Sequence, residues 1–278
     1  SGLGMQLYNP YSGTSSARLP FANNDLSAYL DPAAVKLISL LPAPTSSAAT
    51  NNYTIDPSAT LNDDQFDVRL DENVGAADRL FFKYSFDKPN QLVPGTIYPK
   101  AGASIQVGPF LTTGGGYTGQ VQTQSGTLGY THIFSPTLLL DAHAGILRWY
   151  ANDEAFGQPY TSATAIGIPG INVDSLRGGL PIITISGFAG LGDNSTAPED
   201  SRATTFQYDG DITKVAGTHT VQAGILFLRD RFNGFTSQPA RGTFGFNGQF
   251  TSQIGHPNSL AALADFAIGA ENTGNRAI

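Results

Sequence analysis

The stretch "RLFFKYSFDK", residues 79–88, sets Leu80, Phe82, Tyr84 and Phe86 on one side of an extended chain and Phe81, Lys83, Ser85 and Asp87 on the other. Side chains of a strand alternate with period two, so this is a strand with an apolar side and a largely polar one. A soluble sandwich turns such an apolar side towards a core. An outer-membrane barrel turns it outwards to lipid and keeps the polar side for a wet lumen. The alternation alone serves both, and the choice falls to the rest of the chain.

Composition narrows it. Of 278 residues only 13% are charged, while glycine (32) and aromatic residues (10%) are plentiful. That mixture suits strands and loops better than helices. Fifteen basic against 22 acidic residues leave a net charge of −7. There is no run of Lys or Arg, which sets nucleic acid aside as a partner. The absence of cysteine excludes a disulfide scaffold, thiolate metal sites and a cysteine nucleophile. No window approaches the roughly 18 consecutive apolar residues of a membrane helix, a test to which barrel strands are blind.

Three pairs of alternating runs, the first containing this stretch, carry the pattern along the chain. "DQFDVRLDENVGAADRLFFKYSFDK" (64–88) is a hairpin in which Phe66, Val68 and Leu70 oppose Asp67, Arg69 and Asp71. "TGQVQTQSGTLGYTHIFSPTLLLDAHAGILRWY" (118–150) turns at "SPT", and "TTFQYDGDITKVAGTHTVQAGILFLRDRF" (204–232) turns at "VAGT". In the last of these Phe206, Tyr208 and Ile212 oppose Gln207, Asp209 and Asp211. Between the hairpins, residues 89–117 and 151–203 read as long irregular loops. "DPAAVKLISLL" (31–41) predicts a short helix capped by Asp31 with Pro32 at its first position, and "PNSLAALADFAIGA" predicts another. "GTFGFNGQF" predicts a strand. Short turns alternating with long loops are the habit of outer-membrane barrels, whose short turns are periplasmic and whose long loops are extracellular.

Several stretches, in order from about residue 8 to 270, add a likeness: "DPAAVKLISLLPAP", "DVRLDENVGAADRLFFKYSFDK", "LGYTHIFSPTLL", "GIPGIN", "GLPIITISGFAGLGD", "GTHTVQAGILFLRDRFNG", "ARGTFGFNGQF" and "LADFAIG". Together they resemble the barrel region of TonB-dependent outer-membrane receptors of the Oar-like group. The resemblance implies an antiparallel barrel in the bacterial outer membrane that passes a bulky ligand, energised by the TonB complex through a plug that this chain does not carry. The expected fold is therefore all-β, an internal segment of a transmembrane-type barrel with about seven or eight strands, where a plugged transporter closes at about 22. A single partial barrel domain spans 1–278: a loop-rich segment 1–62, hairpins with long loops 63–251, and a loop with a short helix 252–278.

No catalytic motif is present: G-x-S-x-G and H-E-x-x-H are absent, and neither cofactor nor metal is expected. His132, His143, His219 and His256 lie on separate elements. His143 shares a face with Asp141, as a metal or ligand pair or as a lumenal polar pair, the second being the reading adopted. Asp209 and Asp211 share a face and suit a cation, acid–base chemistry or simple solvation; Asp63 with Asp64 and Glu199 with Asp200 are adjacent pairs. The lumenal, ligand-binding candidates are Arg69, Lys83, Asp87, Asp141, His143, Gln207, Asp209 and Asp211. The lipid-facing candidates are Leu80, Phe82, Tyr84, Phe86, Phe206 and Tyr208. Trp149 with Tyr150 suits an aromatic girdle, or alternatively a sugar-stacking or core position. The alternative function is a soluble, secreted all-β protein that binds or hydrolyses carbohydrate or another polymer.

Overall fold

A computed structural model describes residues 5–14, 16–110, 116–236 and 239–275. Its body is a six-stranded antiparallel meander. The strands are β3 (Thr60–Val74), β4 (Asp78–Val93), β5 (Tyr117–Ser135), β6 (Leu138–Ala155), β8 (Glu199–Ala216) and β9 (His219–Thr236), hydrogen-bonded in that order. Each is 15 to 19 residues long. At about 3.3 Å per residue they reach roughly 50–60 Å, where about ten residues suffice to cross a bilayer. The sheet does not close on itself: β3 and β9 are its two edges, and every residue of both is exposed.

All three tight turns lie at one end. Gly217 and Thr218 join β8 to β9, with Gly217 at φ +61°, the left-handed conformation that the first position of a type II′ hairpin turn demands. Gly75 to Ala77 and Pro136 with Thr137 close the other two hairpins.

At the opposite end the connections and the two flanking segments pack into a cap with its own dry core. The cap holds β1 (Tyr8–Thr14), β2 (Ala17–Pro20), α1 (Pro32–Ser39), α2 (Ser162–Ile166), β7 (Ile182–Ile185), β10 (Thr243–Phe246), α3 (Ser259–Ala267) and β11 (Thr273–Asn275). Asp31 caps α1 by accepting from the amides of Ala33 (2.8 Å) and Ala34 (2.9 Å); Asn258 caps α3 through Ala261 (2.9 Å). The caps allow α1 to bury Leu37, and α3 to bury Phe266, against Phe110, Ile166, Leu180, Ile183 and Phe246. The core thus draws on four segments remote in sequence, and burial of this apolar surface is what holds the loops in place.

The structure corrects several expectations. Six strands, not seven or eight, form the main sheet, and the rest of the strand content is in two small cap sheets. The loops expected at 89–117 and 151–203 are shorter: β4 runs on to Val93, β6 to Ala155, and β8 begins at Glu199. The reason is that period-two alternation fails there: residues 151–155 and 199–202 are largely polar on both faces and Leu92 and Val93 are apolar on both, so no apolar alternation marks strands that the backbone ladder alone continues. "IITI" within the second loop is a strand, and the "GTFGFNGQF" strand pairs with it in parallel rather than joining the meander.

Candidate functional site

The register aligns residues of all six strands into rows across the sheet. One row reads Leu70, Phe82, Leu128, Ala144, Tyr208, Phe227. The next towards the loops reads Val68, Tyr84, Gly126, Ile146, Phe206, Arg229. Leu80, Phe82, Tyr84, Phe86, Phe206 and Tyr208 therefore all stand on one face, which is largely apolar in the turn-proximal half of the sheet, with Glu72, Asp78 and His132 among the rows nearest the turns. Such a band, about 25 Å tall, is what a barrel presents to hydrocarbon.

The other face carries Arg69, Lys83, Asp87, Asp141, His143, Gln207, Asp209 and Asp211. Six of these meet in two clusters. His143 on β6 sits between two carboxylates: its Nδ1 lies 2.9 Å from Asp209 Oδ2 on β8, and its Nε2 3.9 Å from Asp141 Oδ1. Thr131 on β5 donates to Asp141 (2.9 Å), and Gln207 donates to the second oxygen of Asp209 (3.0 Å). Phe81 lies beside the imidazole at 5.8 Å, and the Arg69 guanidinium, paired with Asp71 (2.7 Å), covers the far side of that ring at 4.6 Å. Phe81 can lie flat only because its cross-strand neighbour is Gly129, where a Cβ would strike the ring. In the second cluster Lys83 lies 3.8 Å from Asp67, to which Ser85 also donates. Asp87, opposite Gln65 and Thr123, and Asp211, opposite Gly224, stay outside both clusters.

Among the described residues no group of three or more His, Cys, Asp or Glu has the geometry to hold a metal ion. The arrangement is a polar, hydrogen-bonding wall in which His143 is held between two carboxylates. The girdle expectation divides. Tyr150 stands on the apolar face just beyond the band, with the Arg202 guanidinium 5.2 Å from its ring centre, but alternation puts Trp149 on the polar face opposite Thr123 and Ala203.

An apolar, turn-proximal band on one face, a polar wall on the other and all the long connections at one end are the parts of a membrane barrel wall. Over residues 1–278 the chain matches the family described as outer membrane beta barrel domain. The chain belongs to that family. No curated protein and no solved structure matches. Membership places this outer membrane beta barrel domain in the bacterial outer membrane, in contact with the lipid bilayer, and the soluble, secreted alternative gives way.

Two groups of buried charge in the cap lie outside the residues expected from the sequence. The first is two buried charged side chains in the cap, each held by backbone groups. Asp193, 3% exposed, accepts from the amides of Gly157 (2.9 Å) and Leu180 (2.6 Å). Arg241, also 3% exposed, donates to the carbonyls of Asn194, Ala197 (3.0 Å) and Gly178 (3.4 Å). Burial pushes the Asp193 carboxyl above the usual carboxylate range, against the pull of the Leu180 amide, the Arg241 charge and the Gly157 amide. The second is Asp265, the acid of "LADFAIG", fully buried on α3. It accepts from the amides of Thr251 (2.7 Å) and Phe250 (3.2 Å), and burial raises its pKa too. A lone acid inside an apolar helical run is the signal that points to it.

Proposed function

We propose that this domain is the wall of a TonB-dependent receptor, with its polar face lining the lumen and its apolar face towards lipid. The observation that carries the reading is the division of the two faces by register, which gathers the charged and amide side chains on one side of the sheet. Arg69, Lys83, Asp87, Asp141, His143, Gln207, Asp209 and Asp211 are the ligand contacts in this reading. The polar face carries more carboxylates than cations: Asp67, Asp71, Asp87, Asp141, Asp209, Asp211 and Asp230 stand against Arg69, Arg79 and Lys83. Such a wall attracts a bulky cationic or metal-carrying ligand and repels anions. Leu226, Leu228 and Phe232 also turn to this face and are exposed, which suits an apolar strip for a plug to cover.

The chain's lack of cysteine makes a clean test. Lys83→Cys and Gln207→Cys should react with a membrane-impermeant maleimide in outer-membrane vesicles, while Phe82→Cys and Tyr208→Cys should not. The opposite pattern refutes the assignment of faces. In whole cells the labelling of Lys83→Cys should rise when the inner membrane is energised and fall on removal of TonB. A rate indifferent to both refutes the energised receptor.

A further inference from the structure

On the apolar face the continuous apolar run ends, towards the loops, at Phe66 on β3, Phe86 on β4, Leu128 on β5, Ile146 on β6, Phe206 on β8 and Phe227 on β9; Tyr150, Leu92 and Phe235 are isolated exceptions nearer the loops.

Immediately beyond that run come Lys88, Arg148, Arg202, Arg229 and Arg231, each the first or second polar residue of its strand on this face. That is one third of the fifteen basic residues in a chain of net charge −7. Arg202 is held by Asp200 at 3.0 Å, and Arg231 lies over the Phe206 ring at 5.7 Å. Lys88, Arg148 and Arg229 have no ion-pair partner among the described residues. Past this arc the same face carries a row of amides, Asn62, Asn90, Gln120 and Asn152. Gln120 donates to Asn90 (2.7 Å), and the row lines a cavity of about 400 Å³ with Thr60, Thr118, Leu92 and Glu154.

From turns to loops the face is thus apolar, then cationic, then amide- and hydroxyl-lined. A lipid with acyl chains, phosphates and a saccharide headgroup has the same three chemistries in the same order. We propose that this outer wall holds a phosphorylated glycolipid of the outer leaflet, its acyl chains on the Phe82 and Tyr208 rows, its phosphates on Arg148, Arg229, Arg231 and Lys88, and its sugars at the amide row. Guanidinium binds phosphate by paired, charge-assisted hydrogen bonds, and unpaired arginines at a membrane surface gain most from an anionic headgroup. The inference rests on the proposed outward orientation of the apolar face.

The test is native mass spectrometry of the full chain, folded in detergent and titrated with lipid A, dephosphorylated lipid A or phosphatidylglycerol. One molecule of lipid A should bind at least about tenfold more tightly than either of the others. The triple variant R148E/R229E/R231E should lose affinity on the order of a hundredfold, while R148K/R229K/R231K retains most of it. N90A/Q120A should narrow the preference over phosphatidylglycerol without weakening phosphatidylglycerol itself. Equal affinity for the three lipids, or indifference to charge reversal, overturns the proposal. Should the reversed variant fail to fold, R148Q/R229Q/R231Q and the salt dependence of the unaltered chain replace it, salt-independent lipid A binding being the overturning result. The lone tryptophan supplies the control: in W149F/F82W, quenching by brominated acyl chains marks the apolar face as lipid-facing. Absence of quenching overturns orientation and site together, whereas quenching without a phosphate preference overturns the site alone.

Discussion

The side chains that hold the cap in place are few and buried. Arg241 satisfies three carbonyls of the β6–β8 connection from the far side of the chain, and nothing else among the described residues replaces those donors. Arg241→Ala should therefore destabilise the cap by about 3–5 kcal/mol, the usual cost of leaving a buried charge and its partners unpaired. Limited proteolysis should show cleavage between β6 and β8 with the sheet intact. The buried acids make the cap sensitive to pH in a definite direction. Asp193 and Asp265 have folded pKa values raised by burial above the roughly 4 of an unfolded aspartate. Between those values the folded cap binds more protons than the unfolded one, so its stability is fullest at low pH and falls as pH rises through the raised values. Thermal unfolding followed from pH 4 to 8 should show that decline, and Asp265→Asn should flatten part of it. Asp265 has a trace in the sequence as a lone acid in an apolar helical run, whereas Asp193 and Arg241 have none, because buried charges in irregular connections leave no periodic pattern and Arg241 reads in sequence as an ordinary loop arginine. The clustering of His143 with Asp209 was half legible. Alternation gives a shared face, but only the register of β6 against β8 puts the two side chains at 2.9 Å.

At the scale of elements, the strands were legible where one face is apolar, as in Phe66 to Leu70 or Phe206 to Ile212, because period two survives there. Where both faces turn polar, as from Asn152 to Ala155 on β6, the same strand passed for loop. Trp149 and Tyr150 were read together, but one step of alternation separates them, and Tyr150 is the one on the apolar face. The cap strands were illegible for a different reason: β7 is four residues long and is stabilised by β10, about 60 residues later, so no local pattern specifies it. The alternation itself is open to a paired substitution. Leu128, half exposed at 50%, stands in the middle of the apolar band, and Thr127 beside it points to the polar face. Leu128→Arg should lower the stability of the bilayer-folded protein by about 2–4 kcal/mol, and Thr127→Arg should change it by less than about 1 kcal/mol. Denaturant titration in lipid vesicles measures both; equal effects would mean that the two residues share an environment.

For the whole molecule the unresolved tension is between a membrane setting and an open sheet. Along β3 and β9 alternate residues direct their backbone N–H and C=O groups away from the sheet, and the apolar band includes Phe66 to Val74 on one edge and Val221 to Phe227 on the other. Each such group left unpaired in hydrocarbon costs several kcal/mol, and several fall within the band on each edge. That total exceeds the whole stability of a typical domain, about 5–15 kcal/mol, so the sheet cannot lie in the bilayer with its edges bare. In the membrane both edges must be paired, with further strands or with another copy of this chain. Hydrogen exchange in lipid nanodiscs resolves the matter edge by edge. Amides of Val68, Leu70, Ile225 and Phe227 and their strand neighbours should exchange slowly without alternation, as in a continued ladder. Rapid exchange at every second residue, with protection at those bonded to β4 or β8, would mean that the edges face water. The apolar band would then need a cover other than lipid.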